Sequence, residues 1–185
     1  LPAFPNTVNI PQITSPEHFV LRAPAGSKDT VRVAAIKPTG HNPILNEIEW
    51  IELPVKDGAV SIQGHDDLCF GCIANRYGNG KTTIAVLKNR ALAKGAYGST
   101  ISHDSHNLTI LYRQPEEAYR VAQELQQAGG GICVFYDGAV QALLPLPVAG
   151  LMSTLPVEQL SGKIAETETA VQHVCGPGTS LLHVA

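Results

Sequence analysis

Charge is scarce in this chain, and what there is lies close to balance. Only 16% of the residues are Asp, Glu, Lys or Arg, and the formal net charge is -3. No basic face is implied, so the electrostatic footprint of a nucleic-acid binder is missing and no nucleic-acid partner is expected. Long apolar runs are missing as well. The longest, around residues 142–149, contains prolines and falls far short of the roughly 20 residues that span a bilayer, so no membrane partner is expected. The first residues have neither a basic start nor an apolar core, so no secretory signal is read. An initiator methionine is also missing, and the expectation is a piece of a longer polypeptide. Cysteine is thin: Cys69, Cys72, Cys133 and Cys175, unevenly placed. That argues against a secreted disulfide scaffold and for a reducing, cytoplasmic compartment. Internal repeats and low-complexity tracts are absent.

What remains is enough for a core. The chain has 185 residues, 44% of them hydrophobic, which places it among globular domains rather than disordered segments. Residues 1–16 carry four prolines and read as an extended linker, ending in Thr14-Ser15-Pro16-Glu17, which can start a short helical turn. Strands are expected over 18–22 and 30–37, around the turn Gly26-Ser27-Lys28-Asp29. Residues 46–53 alternate with period two, a half-buried strand in which Ile48, Trp50 or Ile51 marks the buried face. Lys56-Asp57-Gly58 turns the chain into a strand over 59–62, and 68–75 is a short buried strand. Residues 76–83 form a glycine turn, and over 83–93 helix and strand compete.

The clearest helix opens at Pro115, with Glu116 and Glu117 suited to the positive end of its dipole and Ala118, Val121, Ala122 and Leu125 as its apolar stripe. Gly129-Gly130-Gly131 stops it. A β-hairpin turning at Asp137-Gly138 follows, and a final helix is expected over 156–173. Strands first and helices later predict an α+β fold with mostly antiparallel or mixed pairing, two packed sheets, and helices on the outside.

Chemistry concentrates in residues 94–112. Two strand patterns flank His103-Asp104-Ser105-His106-Asn107, which holds two imidazoles, a carboxylate, a hydroxyl and an amide. A loop held by two strands can aim such groups; the competing reading is a polar hairpin whose groups bond only one another. Other motifs fail. Cys69-Phe70-Gly71-Cys72 has no second pair to complete a structural zinc site, and two strand thiols are expected instead. A zinc deaminase signature is excluded because Leu68 precedes Cys69 and no H-x-E triplet occurs. Gly80-Lys81-Thr82 is not a phosphate loop, since Asn75 stands where that loop needs glycine. His103 and His106 have no third ligand nearby, so no metal site is assigned.

Three segments together carry a resemblance: SHDSHN (102–107); QQAGGGICVFYDGAVQALLPLPVAGLMS (126–153); and FVLRAPAGSKDTVRVAAI (19–36) with ELPVKDGAV (52–60). They resemble the C-terminal domain of bacterial adenine deaminases, of the amidohydrolase superfamily, over about residues 6–173. The resemblance implies hydrolysis of adenine to hypoxanthine and ammonia, carried out in a (β/α) barrel upstream that holds a binuclear iron or manganese centre. It implies that this chain is a lid and scaffold domain, inactive alone, with a linker over 1–16, the domain over 17–175 and a tail over 176–185. It points to His103 and Asp104 as catalytic residues and to Ser105, His106 and Asn107 as contacts to adenine or a related base. Pro145, Pro147 and Met152 become the interface with the barrel, and a homo-oligomer is expected. The alternatives are a free-standing purine- or small-ligand-binding module and a purely structural domain.

Overall fold

The computed structural model describes residues 4–39, 42–89, 92–103, 105–177 and 179, with backbone alone for 42–44. The strands are β1 (Thr30–Thr39), β2 (Asn42–Lys56), β3 (Ala59–Val60), β4 (Leu68–Ala74), β5 (Thr82–Lys88), β6 (Ala96–Ser99), β7 (Leu108–Tyr112), β8 (Gly131–Tyr136) and β9 (Ala139–Pro145). The helices are α1 (Pro115–Ala128) and α2 (Val157–Cys175). All strands join one nine-stranded sheet in the order β3-β2-β1-β5-β4-β7-β6-β8-β9. The fold is therefore α+β as expected, but the strands form a single sheet where two packed sheets were expected. The junction is narrow: β1 and β5 meet in parallel through Ala35↔Val86 and Ile36↔Leu87, while the other pairings are antiparallel.

Side chains alternate across a strand, and the core divides accordingly. Leu68, Phe70 and Cys72 of β4, Ile110 and Tyr112 of β7, and Cys133 of β8 share a cluster with Ala118, Val121 and Leu125 of α1. Cys69, Leu111, Ile132 and Val134 share the other cluster with Ala170, Val171 and Val174 of α2. The two helices thus cover opposite faces. Central strands covered on both sides read as nearly unbroken apolar runs, which is why 68–75 showed no alternation. Each fully buried Leu or Val here stabilises the fold by roughly 1.5–3 kcal/mol. A Cβ on Gly98 of β6 would collide with Val121 Cγ1, so the missing side chain lets α1 settle on the sheet.

One local expectation changed, and two open choices were decided. Residues 18–22 are not a strand: Pro16–Phe19 form a 3-10 turn, and Arg22 makes only an isolated bridge to Ala59. The stretch expected as an extended linker is bound to the domain where it is described. Val8, Ile10 and Ile13 are buried, and Tyr119 Oη donates to the Thr14 carbonyl at 3.0 Å. Of the undecided stretch 83–93, the part through Lys88 belongs to strand β5, which pairs along its length with β4. On β2 it is Ile51 and Leu53 that pack inward, whereas Ile48 and Trp50 are exposed.

Candidate functional site

The polar cluster connects β6 to β7, which pair from Ala96↔Tyr112 to Ser99↔Thr109 in the middle of the sheet. Its base is fixed by short-range bonds. The His106 N–H donates to the Ser102 carbonyl at 2.7 Å, and the Ser105 N–H to the His103 carbonyl at 2.9 Å. Thr109 Oγ1 donates to the buried Ser102 Oγ at 2.9 Å. His106 sits in the left-handed region, φ 47°, a conformation uncommon for residues other than glycine. His106 and Asn107 are half-buried, while His103 and Ser105 are exposed. Asp104 lies outside the described residues. The Nδ1 of His106 is buried without a hydrogen-bond partner. Asn75 Nδ2 reaches Asn107 Oδ1 at 3.4 Å.

What holds this loop in place is Arg76, which in the sequence reads only as part of a glycine turn. Arg76 is only 2% exposed, the largest fully buried side chain among the described residues. Its Nε donates to the His106 carbonyl. Nη1 donates to Thr7, to the carbonyl at 3.1 Å and the hydroxyl at 2.5 Å. Nη2 donates to the Ala149 carbonyl at 2.8 Å. Tyr77 lies beneath the guanidinium, 4.9 Å from carbon to ring centroid. Burial pulls the Arg76 pKa down, yet arginine remains charged in proteins. Five donors in a planar fork therefore tie together the N-terminal segment, the polar loop and the turn of PLPVAGLMS. A charged residue placed immediately after the apolar run 68–75 was the signal that could have found it.

The turn at 148–152 is shaped to receive that fork. Ala149 and Gly150 both have positive φ, 56° and 71°, and a Cβ on Gly150 would stand 2.9 Å from Arg76 Nη1. Thr100, fully buried, donates through Oγ1 to the Gly150 carbonyl at 2.6 Å and accepts from the Gly131 N–H at 2.8 Å. The glycine run at 129–131, the turn and the polar loop are thus one bonded unit. Met152 is 59% exposed and lines an apolar groove of about 590 Å3 with Ile101, Leu146, Leu151, Leu160 and Ile164. Pro145 and Pro147 are half-buried and do not line it. Because Ile101 neighbours Ser102, the groove reaches the root of the polar loop.

Comparison with known proteins agrees with the resemblance. The family model described as adenine deaminase C-terminal domain matches residues 44–183. The chain belongs to the adenine deaminase C-terminal domain family. An adenine deaminase from Moorella thermoacetica is 35% identical over 171 residues, covering 91% of this chain and 28% of the relative. One from Rubrobacter xylanophilus is 38% identical over 163 residues, covering 84% of this chain and 26% of the relative. One from Escherichia coli is 41% identical over 113 residues, covering 60% and 19%. The chain therefore spans little more than a quarter of the length of the Moorella and Rubrobacter relatives.

Within this adenine deaminase C-terminal domain the cysteines fall where strand geometry puts them. Cys69 and Cys72 belong to opposite core clusters, so they cannot pinch one metal. All four thiols are reduced and buried. Burial pushes Cys72 and Cys133 from an ordinary 9.0 up to about 12, and Cys175 to about 11. Thiols raised in the folded state favour it below the ordinary pKa, and that stability is lost as pH rises above it. A thiol reagent at about pH 8 is expected to leave Cys72 and Cys133 unmodified in the native chain and to label all four after denaturation. Rapid native labelling of Cys72 would contradict its burial.

Among the described residues no three His, Cys, Asp or Glu side chains converge as a metal site. No helix among them is long and apolar enough to cross a membrane.

Proposed function

We propose that this chain is the lid and scaffold domain of an adenine-deaminase-type aminohydrolase, which converts adenine and water to hypoxanthine and ammonia. The observation that carries the reading is the Arg76 clamp. It fixes the polar loop, through the His106 carbonyl, to the turn beside an exposed apolar groove. A partner domain seated in that groove through Met152 would meet the loop at the same time. On this reading the partner is a separate barrel of the amidohydrolase superfamily, which would supply the metal pair. The assembly is a cytoplasmic enzyme of purine metabolism and a homo-oligomer.

The loop's part is to close over the base. Closure excludes water and strengthens the polar contacts inside. Adenine offers ring-nitrogen acceptors and an exocyclic amine. Asp104 can accept from a donor on the base, and His106 Nε2, Asn107 and Ser105 can donate or accept. His103, exposed on the loop, would hand a proton to the departing amino group, a role histidine often fills.

In the intact polypeptide, Asp104→Ala is expected to lower kcat for adenine at least about tenfold, a barrier change of about 1.4 kcal/mol, with an unchanged unfolding midpoint. The isolated chain is expected to show no turnover. Wild-type kcat in the variant would remove the catalytic role of the loop.

A further inference from the structure

A second concavity opens at the far end of β4 and β7 from the polar loop. Its volume is about 460 Å3, within the range of small-molecule sites, ~300–1,000 Å3. Lys56 and Arg113 line it, and no Asp or Glu does. In a chain of net charge -3, this is a local reversal of sign.

Neither cation is neutralised there. Lys56 Nζ donates to the uncharged amide of Gln63 at 2.5 Å. Arg113 is anchored by backbone carbonyls, of Leu68 at 2.7 Å and His65 at 3.1 Å. Among the described residues neither forms an ion pair. Glu117 is the carboxylate that acts on Arg113, and it does so without a hydrogen bond. It stands inside the first turn of α1 and is not part of the cavity wall. Gln114 and Pro115, at the start of α1, line the cavity. Glu116 and Glu117 in the first turn answer the positive end of the helix, Glu117 accepting from the Gln114 backbone N–H, so the charge of the site is that of Lys56 and Arg113. Phe19, Val60, Ile62 and Phe70 supply an apolar part of the wall, beside the polar Ser61 and Gln63.

We propose that this cavity binds a small phosphate monoester with an apolar or aromatic body. The phosphate would lie between Lys56 and Arg113, with the body against Phe70 and Ile62. A phosphate monoester carries roughly -1.5 to -2 charges at pH 7, so it answers two cations where a carboxylate answers one. Arginine supplies a fixed fork and lysine a point charge, a combination suited to phosphate. β7, five residues long, separates this cavity from the polar loop by roughly 15 Å at 3.3 Å per residue. The site is therefore distinct from the lid chemistry and holds or fails independently of it.

Titration of the chain with phenyl phosphate, followed by calorimetry and by amide shifts around residues 56–64 and 113–115, tests the proposal. Saturable binding is expected with Kd on the order of 1 mM. Inorganic phosphate and benzoate should each bind about tenfold more weakly. Lys56→Glu, at an exposed position, should weaken phenyl phosphate at least about tenfold without moving the unfolding midpoint. Absence of saturation at about 10 mM ligand would overturn the site, as would undiminished binding by Lys56→Glu. Benzoate binding as tightly as phenyl phosphate would overturn the assignment to phosphate, and inorganic phosphate doing so would remove the apolar half of the site.

Discussion

Replacing Arg76 by methionine is expected to destabilise the domain by about 3–5 kcal/mol and to release the polar loop. Methionine keeps much of the buried bulk but offers no donor. The carbonyls of His106, Thr7 and Ala149 and the Thr7 hydroxyl then lose this donor; an acceptor left unsatisfied out of water costs about 1–3 kcal/mol, and less at the exposed Ala149. Urea unfolding of wild type and variant would read the difference, and hydrogen exchange at residues 103–107 would read the loop. Arg76→Lys separates charge from geometry. An ammonium is a point charge without the planar fork, so it cannot serve three segments at once. Most of the loss is therefore expected to persist in Arg76→Lys. A change below about 1 kcal/mol in both variants would show that the three segments hold together without the clamp, and the basis of the lid reading would go with it.

Gly131→Ala is the second large effect, expected at about 3 kcal/mol or more. Gly131 opens β8 at φ 142°, where an L side chain is strained. The added Cβ would run into the Leu144 carbonyl oxygen and stand 3.1 Å from its carbon and 3.2 Å from the Leu146 nitrogen. Those atoms are backbone, so relief requires β9 to move away and disturb the pairing of Gly131 with Pro145. The same shift would disturb the bonds that Thr100 makes to Gly131 and Gly150. Gly138→Ala supplies the control. It also has positive φ, 77°, yet a Cβ there meets nothing within 4 Å, so strain alone of about 1 kcal/mol is expected. Thermal unfolding of the pair measures the collision apart from the strain. Equal losses in the two variants would mean that β9 yields freely.

Several elements were legible because their causes are local. Helix α1 begins at Pro115, ends where Gly129 turns left-handed at φ 74°, and buries the four residues of its apolar stripe. The β8–β9 hairpin follows from Asp137 and Gly138, which take φ of 51° and 77°, values that suit an Asp-Gly turn. Residues 18–22 misled because short apolar stretches fit a strand pattern as well as a 3-10 turn packed on Tyr112. There Phe19 lies edge-on to that ring, and its carbonyl accepts from Tyr112 Oη at 2.7 Å. On β2, alternation announced two faces without saying which was inside. The answer lies in the partner strand and what covers it: Leu53 reaches the core, while Trp50 sits under Arg32 at 5.2 Å. The single sheet rests on a two-residue parallel contact between β1 and β5, which leaves no mark in either strand alone.

The candidate site divides in the same way. Family membership, the α+β class and the cluster of polar side chains at 103–107 were present in residue order, since identity, periodicity and turn chemistry are properties of neighbours along the chain. The clamp was not. Arg76 bonds to carbonyls 30, 69 and 73 positions away. Every residue has a carbonyl, so nothing in the identity of His106, Thr7 or Ala149 advertises the role. Only folding brought three such oxygens around one guanidinium, and that convergence aims the loop.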